Sequence, residues 1–272
     1  MLTAWLLYLG TGAIAGIMAG LLGIGGGLVI VPILNLTFTA QGLPGDYIQH
    51  LALGTSLATI IFTSISSMRA HHKRGALLWP VFKAITPGIL IGGFLGSTVA
   101  SLLSSRFLSA FFVVFLYYVS AQMLLNIKPK ASREVPGPFG MFGAGGVIGG
   151  VSSLVGIGGG TMTVPFLTWC NVPMRTCIGT SAAVGLPIAL ASTAGYILNG
   201  LDANLPGISG GYLGFIYLPA LFGVVVASVL TAPLGAKLAH NLPVGRLKKI
   251  FACLLLIVAT RMLWALVGHS FL

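Results

Sequence analysis

The chain reads GIGGGLVIVPIL at 23–34 and GIGGGTMTVPFL at 156–167, two copies of a glycine cluster followed by a proline, each set in strongly apolar surroundings. Glycine gives up helix propensity and proline breaks the hydrogen-bond ladder, so both are costly in a helix interior. Their repetition marks two places where the backbone must turn or be closely approached. Each motif opens a short apolar stretch, 27–40 and 161–171, below the roughly 20 residues that carry a helix across a hydrocarbon core.

Longer apolar stretches surround the pair, at 4–22, 50–68, 77–103, 107–126, 139–157, 178–199, 211–236 and 249–268. Of the 272 residues, 56% are hydrophobic and only 6% charged, whereas a soluble domain carries about a quarter of its residues as Asp, Glu, Lys and Arg. The composition places the chain in a lipid bilayer as an all-α polytopic protein. Its first segment, MLTAWLLYLG, has no basic n-region and no small-residue cleavage site, and reads as a retained helix.

The order of landmarks indicates duplication. Gly23 and Gly156 open the two clusters at an offset of 133, and LGTSLA at 53–58 answers IGTSAA at 178–183 at an offset of 125. Pro87 answers Pro219, Gly96 answers Gly235, and QML at 122–124 answers RML at 261–263. Landmarks in one order with slowly drifting offsets point to two copies of one unit, 1–127 and 139–272, joined by the polar, proline-bearing linker 128–138. Each copy holds four to five helical segments, with a short or broken helix after its glycine motif.

Loop charge gives their relative orientation. The loop RAHHKRG at 69–75 carries Arg69, Lys73 and Arg74, whereas its counterpart NGLDANLPG at 199–207 has Asp202 and no Lys or Arg. The next loop reverses the contrast, with Arg106 alone in the first copy and Lys237, Arg246, Lys248 and Lys249 in the second. Equivalent loops of opposite charge belong on opposite sides of a membrane, so the copies are expected to be inverted. The linker, with Lys128, Lys130 and Arg133, then faces the cytoplasm together with 69–75, and both termini face outward.

Corresponding short, glycine-interrupted segments in inverted copies are the mark of secondary transporters, whose broken helices bind solute near the bilayer midplane. Gly25, Gly26 and Gly27 let the chain turn without a side chain in the way and leave the first N–H groups of the following helix unpaired. Gly158, Gly159 and Gly160 offer the same from the second copy. Unpaired N–H groups at the positive end of a helix dipole suit a small anion. Thr55, Ser56, Thr180 and Ser181 follow closely enough to add hydroxyl donors. The competing reading makes both clusters helix-packing surfaces, as small residues often are in membranes.

Charge supports the anion. Asp46, Glu134 and Asp202 are the only acidic residues, and all lie in loops, so no intramembrane carboxylate is present to hold a cation or carry a coupled proton. Proton coupling is therefore an expectation with no identified carrier. His50 and Arg175 each lie five residues before a GTS threonine, and Arg261 sits inside the last segment, making these three the candidate charge partners. His71 and His72 belong to the basic loop, while His240 and His269 read as interfacial. The net charge of +11 is scattered over short loops, which excludes a nucleic-acid stripe. Cys170, Cys177 and Cys253 have neither metal spacing nor a paired pattern and read as small buried hydrophobes. No cofactor or metal is expected, and oligomeric state leaves no trace in the sequence.

The doubled GIGGG…VP motif, each followed by GTS within a chain of this length, resembles the sulfite exporter TauE/SafE family of membrane transporters. The resemblance implies a carrier for sulfur-containing anions such as sulfite, sulfoacetate and related sulfonates. It further implies that Gly23 to Gly27 with Pro32, Gly156 to Gly160 with Pro165, and the two GTS stretches are characteristic positions. An anion channel would share the same lining chemistry. An intramembrane enzyme is disfavoured, because the histidines lack carboxylate partners and Leu28 and Thr161 occupy the last glycine position of a G-x-G-x-x-G pattern.

Overall fold

The computed structural model describes residues 2–125, 133–201, 203, 211–241 and 244–268. Its ten α-helices among these residues are α1 (Leu2–Leu22), α2 (Gly27–Ala40), α3 (Ile48–His72), α4 (Trp79–Leu102), α5 (Ser105–Leu124), α6 (Pro138–Val155), α7 (Gly160–Trp169), α8 (Met174–Leu198), α9 (Leu218–Asn241) and α10 (Val244–Gly268). Eight are long and apolar enough to cross a membrane. The exceptions are the helices that follow the glycine clusters. At 14 and 10 residues, α2 and α7 reach about 21 and 15 Å, well short of a hydrocarbon core of about 30 Å.

Both short helices return to the side from which they came. Gln41, at the end of α2, donates from Nε2 to the hydroxyl of Tyr8 near the start of α1, at 2.9 Å. In the second half Arg133, just before α6, donates its N–H to the Trp169 carbonyl at the end of α7, and its guanidinium lies 4.8 Å over the Trp169 ring. Thus α1–α2 and α6–α7 are re-entrant hairpins whose tips are the glycine clusters.

The apolar stretch 211–236, read as one segment, is divided. It opens with an antiparallel ribbon of β1 (Tyr212–Leu213) and β2 (Ile216–Tyr217), because Gly211 and Gly214 adopt φ of 81° and 54° and turn the chain before α9 begins.

At the centre α3 and α8 run antiparallel: Gly54 lies beside Tyr196, Ser64 beside Gly185 and Ala76 beside Gly179. These are the most enclosed spans, with 72% of their apolar windows buried against 28–50% for the other six. Around them, Gly12, Gly16 and Gly20 of α1 press in turn on Val224, Ser228 and Ala232 of the parallel α9. Gly88, Gly92 and Gly96 of α4 likewise press on Phe142, Gly146 and Gly150 of the parallel α6. Lipid supplies no hydrophobic drive between helices, so such glycine stripes work by letting backbones approach. The Tyr117 and Thr260 hydroxyls, 3.0 Å apart, tie α5 to α10.

Side-chain bonds also run up α3 and α9 in parallel. The Thr63 and Ser228 hydroxyls lie 2.9 Å apart, and Ser66 donates to the Val229 carbonyl at 3.0 Å. This brings Arg69, Lys73, Arg74 and Lys237 to one face, with Arg175 and Arg133 beside them at the adjoining ends of α8 and α7. Arg106 lies on the opposite face, where Ser105 accepts the Gln49 N–H. Lys128, Lys130, Asp202 and His269 lie outside the described residues, while Arg246 and Lys248 fall in the first turns of α10.

Candidate functional site

The first glycine tip turns through the left-handed region, with φ of +69° at Gly23, +79° at Gly25 and +84° at Gly26, the residue that caps α2. Here glycine is needed for conformation. In the second tip only Gly156 is left-handed, at +69°, and the α7 cap Gly159 has an ordinary helical φ of −61°. There glycine is needed mainly for room.

The two tips touch. A Cβ on Gly25 would stand 3.0 Å from the Gly158 Cα, one on Gly27 would run into the Gly156 carbonyl, and one on Gly160 into the Gly23 carbonyl. A GTS serine stands by each of these carbonyls: Ser56 donates to Gly156 at 2.8 Å, whereas the single proton of Ser181 goes to Ile178 at 2.9 Å and leaves the Gly23 carbonyl 3.4 Å from its oxygen. The Gly156 carbonyl is therefore satisfied, whereas the N–H groups of Gly27, Leu28, Gly160 and Thr161 have no backbone acceptor among the described residues. Every residue from Leu21 to Pro32 and from Val155 to Thr161 is buried. Two helix N-termini with unpaired donors thus meet in a water-excluded region of positive potential, an arrangement suited to an anion.

The GTS threonines act one step away. Thr55 Oγ1 accepts the Tyr217 N–H at 2.9 Å, and Thr180 Oγ1 accepts the Leu78 N–H at 3.0 Å. Those N–H groups immediately precede α9 and α4, so each threonine fixes the entry of a span and keeps its own proton for donation. His50, Arg175 and Arg261 stand elsewhere. The His50 Nε2 lies 3.1 Å from the carbonyls of both Ala100 and Leu103. Carbonyls only accept, so that nitrogen carries the proton and pins the ring to the end of α4. Arg175 and Arg261 are exposed on α8 and α10, so the potential at the glycine tips comes from the main chain. Cys170 and Cys177 are buried, but Cys253 is exposed on α10, where the large lipid-facing fraction of that helix places it.

The structure adds side chains that sequence reasoning passed over. The hydroxyls of Ser64, Thr161 and Thr163 are buried near the start of α7 without a partner among the described residues. Superposing the two motifs position by position would have exposed them, since the second reads GTMTVP where the first reads GLVIVP. Two clefts open nearer the surfaces. One of about 490 Å³ is lined by Phe62, Arg69, Lys73 and Arg74 with Val229 and Pro233, and one of about 390 Å³ by Asn35, Ser105, Arg106 and Ser109 with Met262. Neither is lined by a residue of the glycine tips.

The family described as "Sulfite exporter TauE/SafE" matches residues 8–262. A "Probable membrane transporter protein" of Haemophilus influenzae is 38% identical over 264 residues, covering 96% of this chain and 99% of the relative. One from Methanocaldococcus jannaschii is 28% identical over 93% of this chain and 92% of its own, and YunE of Bacillus subtilis is 27% identical over 93% and 95%. No solved structure matches the chain. With the match spanning both glycine tips and all but the ends of the first and last helices, the chain belongs to the sulfite exporter TauE/SafE family, as a polytopic membrane protein.

Proposed function

We propose that the protein is a secondary transporter of the cytoplasmic membrane that moves a small sulfur-containing anion, such as sulfite, sulfoacetate or a related organosulfonate, by alternating access. Residues 1–127 and 139–272 act as inverted repeats, and the solute binds where their re-entrant tips meet. The observation that carries this reading is the pair of crossed glycine turns, which leaves four main-chain N–H groups with no backbone acceptor among the described residues, in a buried region free of acidic side chains. Selectivity against cations follows, because no carboxylate is available there to neutralise one. In this orientation the face bearing Arg69, Lys73, Arg74 and the linker 128–138 is cytoplasmic, and both termini lie outside.

Uptake of radiolabelled sulfite and sulfoacetate into proteoliposomes, with and without an imposed pH gradient, tests the proposal. Saturable flux with counterflow is the expected result, and a gradient dependence would reveal proton coupling. Absence of flux for every sulfur anion tried would refute the substrate class, and large single-channel currents would replace the carrier with a channel.

A further inference from the structure

The glycine tips match in backbone contact but differ in lining. Aligning the motifs pairs Leu28 with Thr161 and Ile30 with Thr163, and the 125-residue offset of the GTS stretches pairs Ile60 with Gly185 and Ala189 with Ser64. At the α2 tip Leu28, Ile30 and Ile60 are wholly enclosed, and Ile60 Cγ2 stands 3.2 Å from where a Gly25 Cβ would be. At the α7 tip the corresponding volume has no side chain at Gly185. The Ser64 hydroxyl lies 2.7 Å from the Cβ position of Gly185, which is itself 3.8 Å from the Gly159 nitrogen. The Thr163 hydroxyl lies 3.0 Å from the Cβ position of Gly159. Both converge on the start of α7.

Six buried hydroxyls lack a partner among the described residues, those of Ser64, Ser152, Thr161, Thr163, Ser192 and Thr193, and three of the six gather at the start of α7. Thr37, Thr59, Thr63, Thr86, Thr168 and Thr260 all donate to the carbonyl four residues back, the ordinary resting place for a helical threonine. Thr163 does not. Its equivalent acceptor, the Gly159 carbonyl, already receives the N–H groups of Met162 at 3.3 Å and Thr163 at 2.7 Å. Ser64 and Thr163 are 2% and 0% exposed, and neither hydroxyl has a partner among the described residues. Buried polar groups are normally paired, so a pair of orphan donors at one helix end and apolar groups at its counterpart require an explanation.

We infer that the transporter has one anion subsite rather than two symmetric ones: the N-terminus of α7, where the Gly160 and Thr161 N–H groups and the Ser64 and Thr163 hydroxyls hold a compact oxyanion. Thr161 adds a third buried hydroxyl on the same turn. The α2 tip, filled by Leu28, Ile30 and Ile60, is apolar and takes no part in holding the anion. This assignment rests on the anion-transporter reading above and specifies where in the crossed turns the charge sits.

The test uses full-length protein in proteoliposomes, with sulfite and sulfoacetate as substrates. Ser64→Ala and Thr163→Val should each raise the half-saturating concentration several-fold, and together at least tenfold, with maximal flux near wild type. Thr163→Ser retains the hydroxyl and should restore wild-type half-saturation. On the α2 side, Leu28→Thr and Ile30→Thr should leave half-saturation within twofold. Sulfite-dependent thermal stabilisation of the purified protein gives a second readout independent of turnover, expected for wild type and absent in the double variant. Unchanged half-saturation in the double variant, equal losses from both tips, or a Thr163→Ser defect as large as that of Thr163→Val would overturn the one-sided site while leaving a transporter in place. Wild-type protein without flux or stabilisation by either anion would instead overturn the reading on which it rests.

Discussion

Two neighbouring glycines separate a backbone clash from a side-chain one. In Gly160→Ala the new Cβ would overlap the Gly23 carbonyl and stand 2.5 Å from the Ile24 Cα, both main-chain atoms of the opposing tip. In Gly159→Ala the backbone, at φ −61° and ψ −14°, already suits alanine. Its nearest neighbours are side-chain ends, Val184 Cγ1 at 2.8 Å, Thr163 Oγ1 at 3.0 Å and Ile188 Cδ1 at 3.2 Å, which can give by small rotations. The first substitution must push the tips apart by about 1 Å, an overpacking cost of about 1–3 kcal/mol. The second gains about 0.4–1 kcal/mol from a less flexible unfolded chain, which offsets the local crowding. At about 2–4 °C per kcal/mol for a chain near this size, Gly160→Ala should lower the apparent melting temperature by roughly 2–12 °C and Gly159→Ala by less than about 2 °C. Thermal unfolding of the detergent-solubilised variants, followed by tryptophan fluorescence, measures both. Equal shifts, or a neutral Gly160→Ala, would refute the close contact between the tips.

Thr55→Val and Thr180→Val each strip the acceptor from the N–H that enters a span, at a cost of about 1–3 kcal/mol, while the serine variants keep the bond and should melt like wild type; valine variants as stable as serine ones would remove the threonines from this role. Ser56→Ala frees the Gly156 carbonyl and should destabilise by about 1 kcal/mol in the same melting assay, whereas no shift would mean the 2.8 Å bond is not formed in the membrane. Arg261→Gln changes an exposed group on α10 and should leave the half-saturating concentration of sulfite unaltered, a tenfold rise being the result that contradicts it. Burial pushes the Cys170 thiol above its ordinary value, and the nearby Arg133 offsets this only in part, so the thiolate is depleted at every pH below the raised value. In a Cys177→Ala, Cys253→Ala background, maleimide labelling should be slow at pH 7 and accelerate only above the usual thiol range; labelling at the rate of a free thiol at pH 7 would contradict the burial.

Hydropathy made the spans legible because each is a near-continuous apolar run, and length alone separated 27–40 and 161–171 from the rest, as α2 and α7 now show. The pairing of Thr55 with Thr180 at a fixed offset anticipated a shared structural task, although the task itself, accepting an N–H at the start of α9 or α4, depends on residues 162 and 102 positions away in the chain. The ribbon at Tyr212–Tyr217 was hidden because its residues are as apolar as the helix that follows, and only Gly211 and Gly214 signal the turn. The direction of Arg261 was equally hidden: a charged residue inside an apolar segment can face lipid or protein, and the hydropathy of the segment does not say which. The unpartnered hydroxyls at α7 were visible as residue types, but their isolation depends on acceptors being occupied, which composition does not encode.

The parallel glycine stripes have a mechanical consequence. Because α1 is seamed to α9 and α4 to α6, the boundary that divides the sequence into halves is not a boundary in space; the halves are laced through one another. Swinging 1–127 against 139–272 as solid blocks would mean peeling two backbone-tight seams in lipid at once. Under the alternating access proposed above, the pairs α1–α9 and α4–α6 would travel as units, and a route to either side of the bilayer would open where helices meet through hydroxyls and larger side chains instead, along α3, α8 and the sides of the two re-entrant tips.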